Sequence, residues 1–319
     1  VIRWLPCLLT AVLITGKAAA SPGLIDQPQT FPWTAGLTPV MQDEDGGLDP
    51  GRFRLKSHVL WFNTYRQYGL GQNKTQEIDM EGGLFSLSGA WSFAPGWELR
   101  GHAEGWALGG GVMDPLISGL HHLLGVPNQG RDDVGYGHYR DFLDGVFDDT
   151  SPAAGLTQAS AGVRSFAGPW SWTAWVKVPV PAHLGWGWTS AWGGGSGVGW
   201  GDRWPLGGWG MSLRGGLSAA LVLIGQDEGF PGQNGVATVQ GGGYLIAEWT
   251  GGLRILSQAS WTRVPRGGDG FLPQAAGLLT TGVQIPWNSQ WTFEGSWTEE
   301  FLTWATNETG FGAGLVWNP

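Results

Sequence analysis

A regular alternation of apolar and polar positions begins near Arg52 and runs to the end of the chain. Phe53, Leu55, Val59 and Trp61 fall on one face of a period-two pattern, and Arg54, Lys56 and His58 on the other. Leu99, Ala103 and Ala107 alternate in the same way with Glu98, Arg100, His102 and Glu104. Later segments repeat the beat: Trp172, Ala174, Val176 and Val178 against Thr173, Trp175 and Lys177, or Trp291, Phe293 and Trp297 against Thr292, Glu294, Ser296 and Thr298. Period two with one apolar and one polar face is the signature of a strand. In the second strand, residues 76–92, Ile78 and Met80 oppose Glu77, Asp79 and Glu81. A bulge is expected there at Gly82-Gly83, where the alternation changes phase.

A soluble sandwich would alternate similarly, so connection lengths carry the distinction. Five joints are short, around 94–96, 167–169, 204–208, 250–252 and 288–290. The joints between them are mostly longer, around 66–74, 109–155, 181–191, 225–235, 265–274 and 304–308. Short turns alternating with long loops are the habit of outer-membrane barrels. The pattern predicts an all-β, transmembrane antiparallel β-barrel of about twelve strands, with one short helix in a long extracellular loop. The sixth strand, near 192–203, is the least regular because it is mostly glycine. Aromatic residues gather at the short turns: Trp91, Phe93, Trp97, Trp170, Trp172, Trp204, Trp209, Trp249, Trp287, Trp291 and Trp317. That is the expected girdle at one membrane interface. Trp61, Tyr65, Trp106, Trp261, Phe301 and Trp304 are expected to form the opposite one.

Composition agrees with this reading. The chain has 57 glycines and 22 tryptophans, and only 13% of its residues are charged. A net charge of −9 leaves no electrostatic footprint for nucleic acid. Residues 1–20 read as a secretory signal, with Arg3 before an apolar stretch and Ala18-Ala19-Ala20 before Ser21. Its removal would take away Cys7, the single cysteine, and with it thiolate chemistry and disulfides. Residues 21–50 then form an irregular lead-in with the acidic patch Asp43, Glu44 and Asp45, and residues 51–319 form the barrel.

Residues 109–133, GGGVMDPLISGLHHLLGVPNQGRDD, resemble the uncharacterised bacterial outer-membrane family known as domain-of-unknown-function family 3187. The matching positions are Asp114, His121, Gly125, Pro127 and Arg131, with weaker matches at Gln29, Asp79, Glu81, Lys177, Glu299 and Glu300. The resemblance implies barrel architecture and an outer-membrane location, and no particular reaction.

Chemistry could sit in three places. In the lumen of the first three strands, a basic column (Arg54, Lys56, His58), an acidic one (Glu77, Asp79, Glu81) and a mixed one (Glu98, Arg100, His102, Glu104) are expected side by side. They would either pair to fill the interior or line a selective pore. In the loop 109–155, a helix near 113–124 carries an apolar stripe of Leu116, Ile117, Leu120, Leu123 and Leu124. Asp114, His121 and Arg131 would pin it as a plug or gate. Ser118 lies between Asp114 and His121 rather than beyond the histidine, and no G-x-S-x-G elbow exists, so no catalytic set is assigned. The acidic residues Asp132, Asp133, Asp141, Asp144, Asp148 and Asp149 read as a solvated loop, with Ca²⁺ or Mg²⁺ binding the alternative. No HExxH or other metal pattern is present, and no cofactor is implied. The expected function is a passive outer-membrane channel or uptake barrel for a small solute, an apolar one among the candidates, with the 109–133 segment as plug or gate. The alternatives are a non-catalytic structural or ligand-binding barrel and a lipid-acting enzyme, which would need a nucleophile within reach of His58, His102 or His121. Expected partners are outer-membrane lipid, lipopolysaccharide and, through the last strand, the barrel-assembly machinery.

Overall fold

The computed structural model describes residues 23–24, 47–68, 76–110, 113–124, 140–143, 147–149, 153–180, 191–207, 210–225, 236–263, 275–300 and 307–319. The signal segment, most of the lead-in, Arg131, Trp209, Phe301 and Trp304 lie outside these residues. Twelve long strands make the wall: β1 (Phe53–Tyr68), β2 (Gln76–Ala94), β3 (Trp97–Gly109), β6 (Ala153–Ala167), β7 (Trp170–Val178), β8 (Gly193–Leu206), β9 (Met211–Ile224), β10 (Val236–Trp249), β11 (Arg254–Arg263), β12 (Ala275–Pro286), β13 (Trp291–Glu300) and β14 (Asn307–Trp317). Between β3 and β6 stand a helix, α1 (Asp114–Leu124), and two short strands, β4 (Arg140–Leu143) and β5 (Phe147–Asp149).

Neighbouring long strands pair antiparallel around the ring, and β1 closes it by pairing β14 from Leu55↔Trp317 to Tyr65↔Asn307. Closure leaves the ring no unpaired edge. β4 continues the wall where β3 stops, pairing with β2 from Gln76↔Leu143 to Asp79↔Arg140. The short turns fall where the sequence placed them, with one shift: β8 runs on to Leu206, opposite Met211, so the third turn begins later than expected. Gly96 (φ 72°) and Gly168 (φ 60°) supply the left-handed residue that two of these turns require.

The two faces are sharply distinguished. Val59, Phe85, Leu99, Val176, Leu217 and Ile255 are exposed on the outside, whereas Lys56, His58, Glu98, Lys177 and Arg254 are enclosed. Near the short turns the aromatics pack ring to ring on the outer face: Phe53 on Trp317 (5.8 Å), Trp91 on Phe93 (6.1 Å), Trp291 on Trp317 (6.0 Å) and Trp287 on Phe293 (5.1 Å). Farther up, Trp61, Phe311 and Trp297 sit side by side across β1, β14 and β13, with Trp261 on β11 also outward. Trp106 does not join that row. It points inward and meets Phe62 edge-on at 5.7 Å.

The expected bulge at Gly82-Gly83 is absent. β2 pairs β1 without a break from Phe53↔Trp91 to Tyr68↔Gln76, so the period of two carries straight through. Gly82 therefore faces inward, where a Cβ would lie 2.7 Å from Leu108 and 3.3 Å from Phe62. Met80 is enclosed, and Asp79 and Glu81 fall on the outer face, the reverse of the sequence expectation. In the long-loop half of β1 to β3, Leu60, Phe62, Met80, Leu84, Trp106 and Leu108 form an apolar inner layer, and Asn63, Asp79 and Glu81 stand on the outer face.

β14 gives the interior its reach. Its inward positions Gly310, Gly312 and Gly314 lack side chains, so groups on β1 pass over it to β13. A Cβ on Gly312 would lie 2.5 Å from His58 Nε2, and one on Gly314 would lie 3.0 Å from Glu294 Oε2. Replacing Gly312 with valine should destabilise the barrel by about 1–3 kcal/mol through overpacking. Gly83→Ala, where a Cβ meets nothing within 4 Å, should be neutral. Urea-unfolding midpoints of the two variants in detergent check this.

Candidate functional site

The short-turn half of the interior is a belt of ionisable side chains. Glu248 on β10 forms ion pairs with Arg214 (Nε at 2.8 Å), Arg203 (3.7 Å) and Arg254 (3.9 Å). Arg254 donates to Gln284 Oε1 at 2.6 Å, and Gln284 Nε2 donates to Glu294 Oε1 at 2.5 Å. Glu294 lies 3.4 Å from Lys56 Nζ across the glycines of β14. Adjacent strands thus hand the network from β8 to β1. Arg203 is half-exposed, whereas Lys56, Arg254 and Glu294 are enclosed; burying these three charges singly would cost several kcal/mol, so pairing is the condition of their being there.

The network encloses a piece of chain that is not part of the wall. The Gly23 carbonyl accepts from Gln284 Nε2 at 2.8 Å and from Arg254 NH1 at 3.2 Å. The Leu24 carbonyl accepts from Lys56 Nζ. The Leu24 side chain packs on Ile246 and Leu256, with Tyr244 beside them. The Arg54 guanidinium lies against Gly23, 3.2 Å from where a Cβ would be. Where the lead-in meets β1, the Leu48 amide donates to Glu98 Oε1 at 2.6 Å. The lead-in therefore occupies the interior at two points, gripped through its backbone.

Of the expected lumen residues, Arg54, Lys56 and Glu98 touch this segment. Arg100 pairs with Glu98 on its own strand at 2.7 Å. His102 Nε2 lies 3.5 Å from Glu104 Oε2, and Glu104 accepts from Thr157 Oγ1 at 3.2 Å. Asp79 and Glu81 are on the other side of the wall. Glu81 accepts from the Trp61 indole at 2.7 Å and from the Met113 amide at 2.6 Å, so α1 starts against the outer face. The acidic column is thus missing from the lumen because β2 keeps its phase. For Glu77, Asp114 and His121 the backbone alone is described, and Arg131 falls outside the described residues.

Glu294, the partner of Lys56, and Arg254, which shares its hold on the lead-in, were missed by sequence reasoning. Arg254 and Glu294 fall on the polar faces of their strands in the alternation, but the registers that bring β11, β12 and β13 together cannot be read from it. A serine–histidine contact of the kind a hydrolase needs does exist, with His58 Nε2 3.2 Å from Ser296 Oγ. It is enclosed behind β14, and His58 is 1% exposed.

The model for the family described as Protein of unknown function (DUF3187) matches residues 19–141. That span holds the lead-in, β1 to β3 and α1. No curated protein matches the chain in sequence. Among solved structures, the chain is similar to an outer membrane channel from Pseudomonas putida F1, with 11% identity, TM-score 0.49, and coverage of 86% of this chain and 97% of that one. The translocator domain of the autotransporter NalP from Neisseria meningitidis shows 12% identity, TM-score 0.44, and coverage of 86% and 89%. The monoaromatic hydrocarbon channel CymD shows 8% identity, TM-score 0.40, and coverage of 96% and 97%.

Removing one partner of an enclosed pair strands the other. Lys56→Met should cost about 3–5 kcal/mol by taking the ammonium away from the enclosed Glu294 carboxylate, which keeps the Gln284 amide. The double variant Lys56→Met/Glu294→Gln should recover a large part of that loss. A double-mutant cycle on urea unfolding in detergent measures the coupling.

Proposed function

We propose that this chain is a passive outer-membrane channel for a small solute, held shut by its own lead-in rather than by the loop helix. The membrane location is supported by the continuous apolar outer surface, bounded by two aromatic rows and flanked by short turns on one side. Strands of 16 and 19 residues in β1 and β2 exceed the roughly 9–11 needed to cross a bilayer. Signal-directed export of the mature chain and insertion by the assembly machinery through β14 belong to this reading.

The observation that carries the channel reading is the capture of the Gly23 and Leu24 carbonyls by Lys56, Arg254 and Gln284. Gly23 and Leu24 belong to no strand and their carbonyls are held by side-chain donors, so they can leave without breaking the ladder of the wall. Its departure would expose a lumen lined by Arg54, Lys56, Glu98, Arg254 and Glu294, which would favour polar or charged solutes on that side. The apolar layer of Leu60, Phe62, Met80 and Trp106 favours a second reading, in which the interior is permanently filled and the barrel is structural or ligand-binding.

Single-channel conductance in planar bilayers separates them. The intact protein should be silent, deletion of residues 21–46 should conduct, and deletion of residues 113–131 should stay silent. A folded lead-in deletion that is silent would move the assignment to the structural reading. Ester hydrolysis by the lead-in-deleted protein that vanishes in its Ser296→Ala variant would instead favour the lipid-acting enzyme.

A further inference from the structure

The outer face above the upper aromatic row is polar and yet covered. Asn63, Asp79, Glu81 and Thr309 share the outward side with the exposed Trp61 and Phe311, and these four polar residues are at most 5% exposed. Part of the cover is the start of α1. The Met113 amide bonds to Glu81 Oε2, and Met113 itself is 2% exposed. The other Glu81 oxygen takes the indole of Trp61, so one carboxylate ties the helix start to an aromatic residue of the row. Along the helix Ser118 is enclosed, whereas Leu116 is 61% and Leu123 81% exposed. Leu116 and Leu123 are seven residues, two turns, apart and therefore share one side.

We infer that α1 lies flat on the outer side of the barrel, in the interfacial zone of the outer leaflet, with Leu116 and Leu123 turned into lipid. Continuity argues for a lipid surface as the occupant, since the helix starts at the upper edge of the exposed apolar belt and Glu81 joins it to Trp61. A helix with an apolar side at headgroup depth gains by burying that side among acyl chains. The inference rests on the membrane reading above.

The test is spin labelling in a Cys7→Ser background, with Leu116→Cys and Leu123→Cys on the helix and Leu217→Cys as the belt reference. The protein is reconstituted in phosphatidylethanolamine–phosphatidylglycerol vesicles, and collisions are measured with oxygen, which favours lipid, and with a water-soluble nickel chelate. Both helix labels should favour oxygen, as Leu217 does. Nickel-accessible helix labels with an oxygen-accessible Leu217 would overturn the inference alone, and helix labels reached by neither would overturn it by putting α1 inside the lumen. A nickel-accessible Leu217 would overturn the membrane reading and the inference with it. Adding Glu81→Leu should lower the oxygen-to-nickel ratio at Leu123 severalfold and leave Leu217 unchanged; an unaltered Leu123 ratio would overturn the role of Glu81 as tether.

Discussion

Closure of β1 onto β14 is the constraint on which the rest of the molecule depends. A sheet closed on itself has two faces with different surroundings, and a strict period of two assigns every side chain to one of them. Once the seam is zipped in a single register, the phase of β1 and β14 is fixed, and unbroken pairing passes it to β2. That explains why Glu81 faces outward despite a local sequence suggesting otherwise. The phase belongs to the ring, and a pair of glycines has no power to reset it unless the pairing itself slips. The ladder does slip between Ser92 and Ala94, and between Glu104 and Gly105 on the β6 side.

Polarity then inverts along the axis of the barrel. In the short-turn half, charge is inside and apolar surface outside. In the long-loop half of β1 to β3, Leu60, Phe62 and Trp106 are inside and Asn63, Asp79 and Glu81 outside. On the membrane reading proposed above, the outer surface changes because its surroundings would change from hydrocarbon to headgroups and water. Interior charges survive in the lower half because every strand from β8 to β13 except β12 contributes one, β12 contributes the bridging amide of Gln284, and the lead-in brings bare carbonyls as further acceptors.

The wall was legible in the sequence for a physical reason: alternation, turn chemistry and interfacial tryptophan are local signals. The twelve strands, the five turns and the aromatic row at the short turns follow from them; of the opposite row only Trp61 and Trp261, among the described residues, are seen where the sequence put them. Arg54, Lys56 and Glu98 were found because they alternate cleanly. Their partners were not, since Lys56 meets Glu294 only through the β1–β14 closure, and Arg254 meets Gln284 only through the β11–β12 register. The lead-in could not be seated either. What holds it is the backbone of Gly23 and Leu24, and backbone carbonyls look the same in every sequence. Trp106 was placed in the wrong row because tryptophan near a strand end serves as well inside a filled barrel as at an interface.

The glycine stripe on β14 has a mechanical consequence. In a ring of strands the joint between the first and the last is the place where the wall can part without cutting the chain. Here side chains straddle that joint: Lys56 with Glu294 and His58 with Ser296 both reach from the first strand past the last to the one before it. A sideways split between β1 and β14 would have to tear these stitches as well as the backbone ladder. The hem of the barrel is sewn on its inner side, and the thread that crosses it is the same one that holds the lead-in.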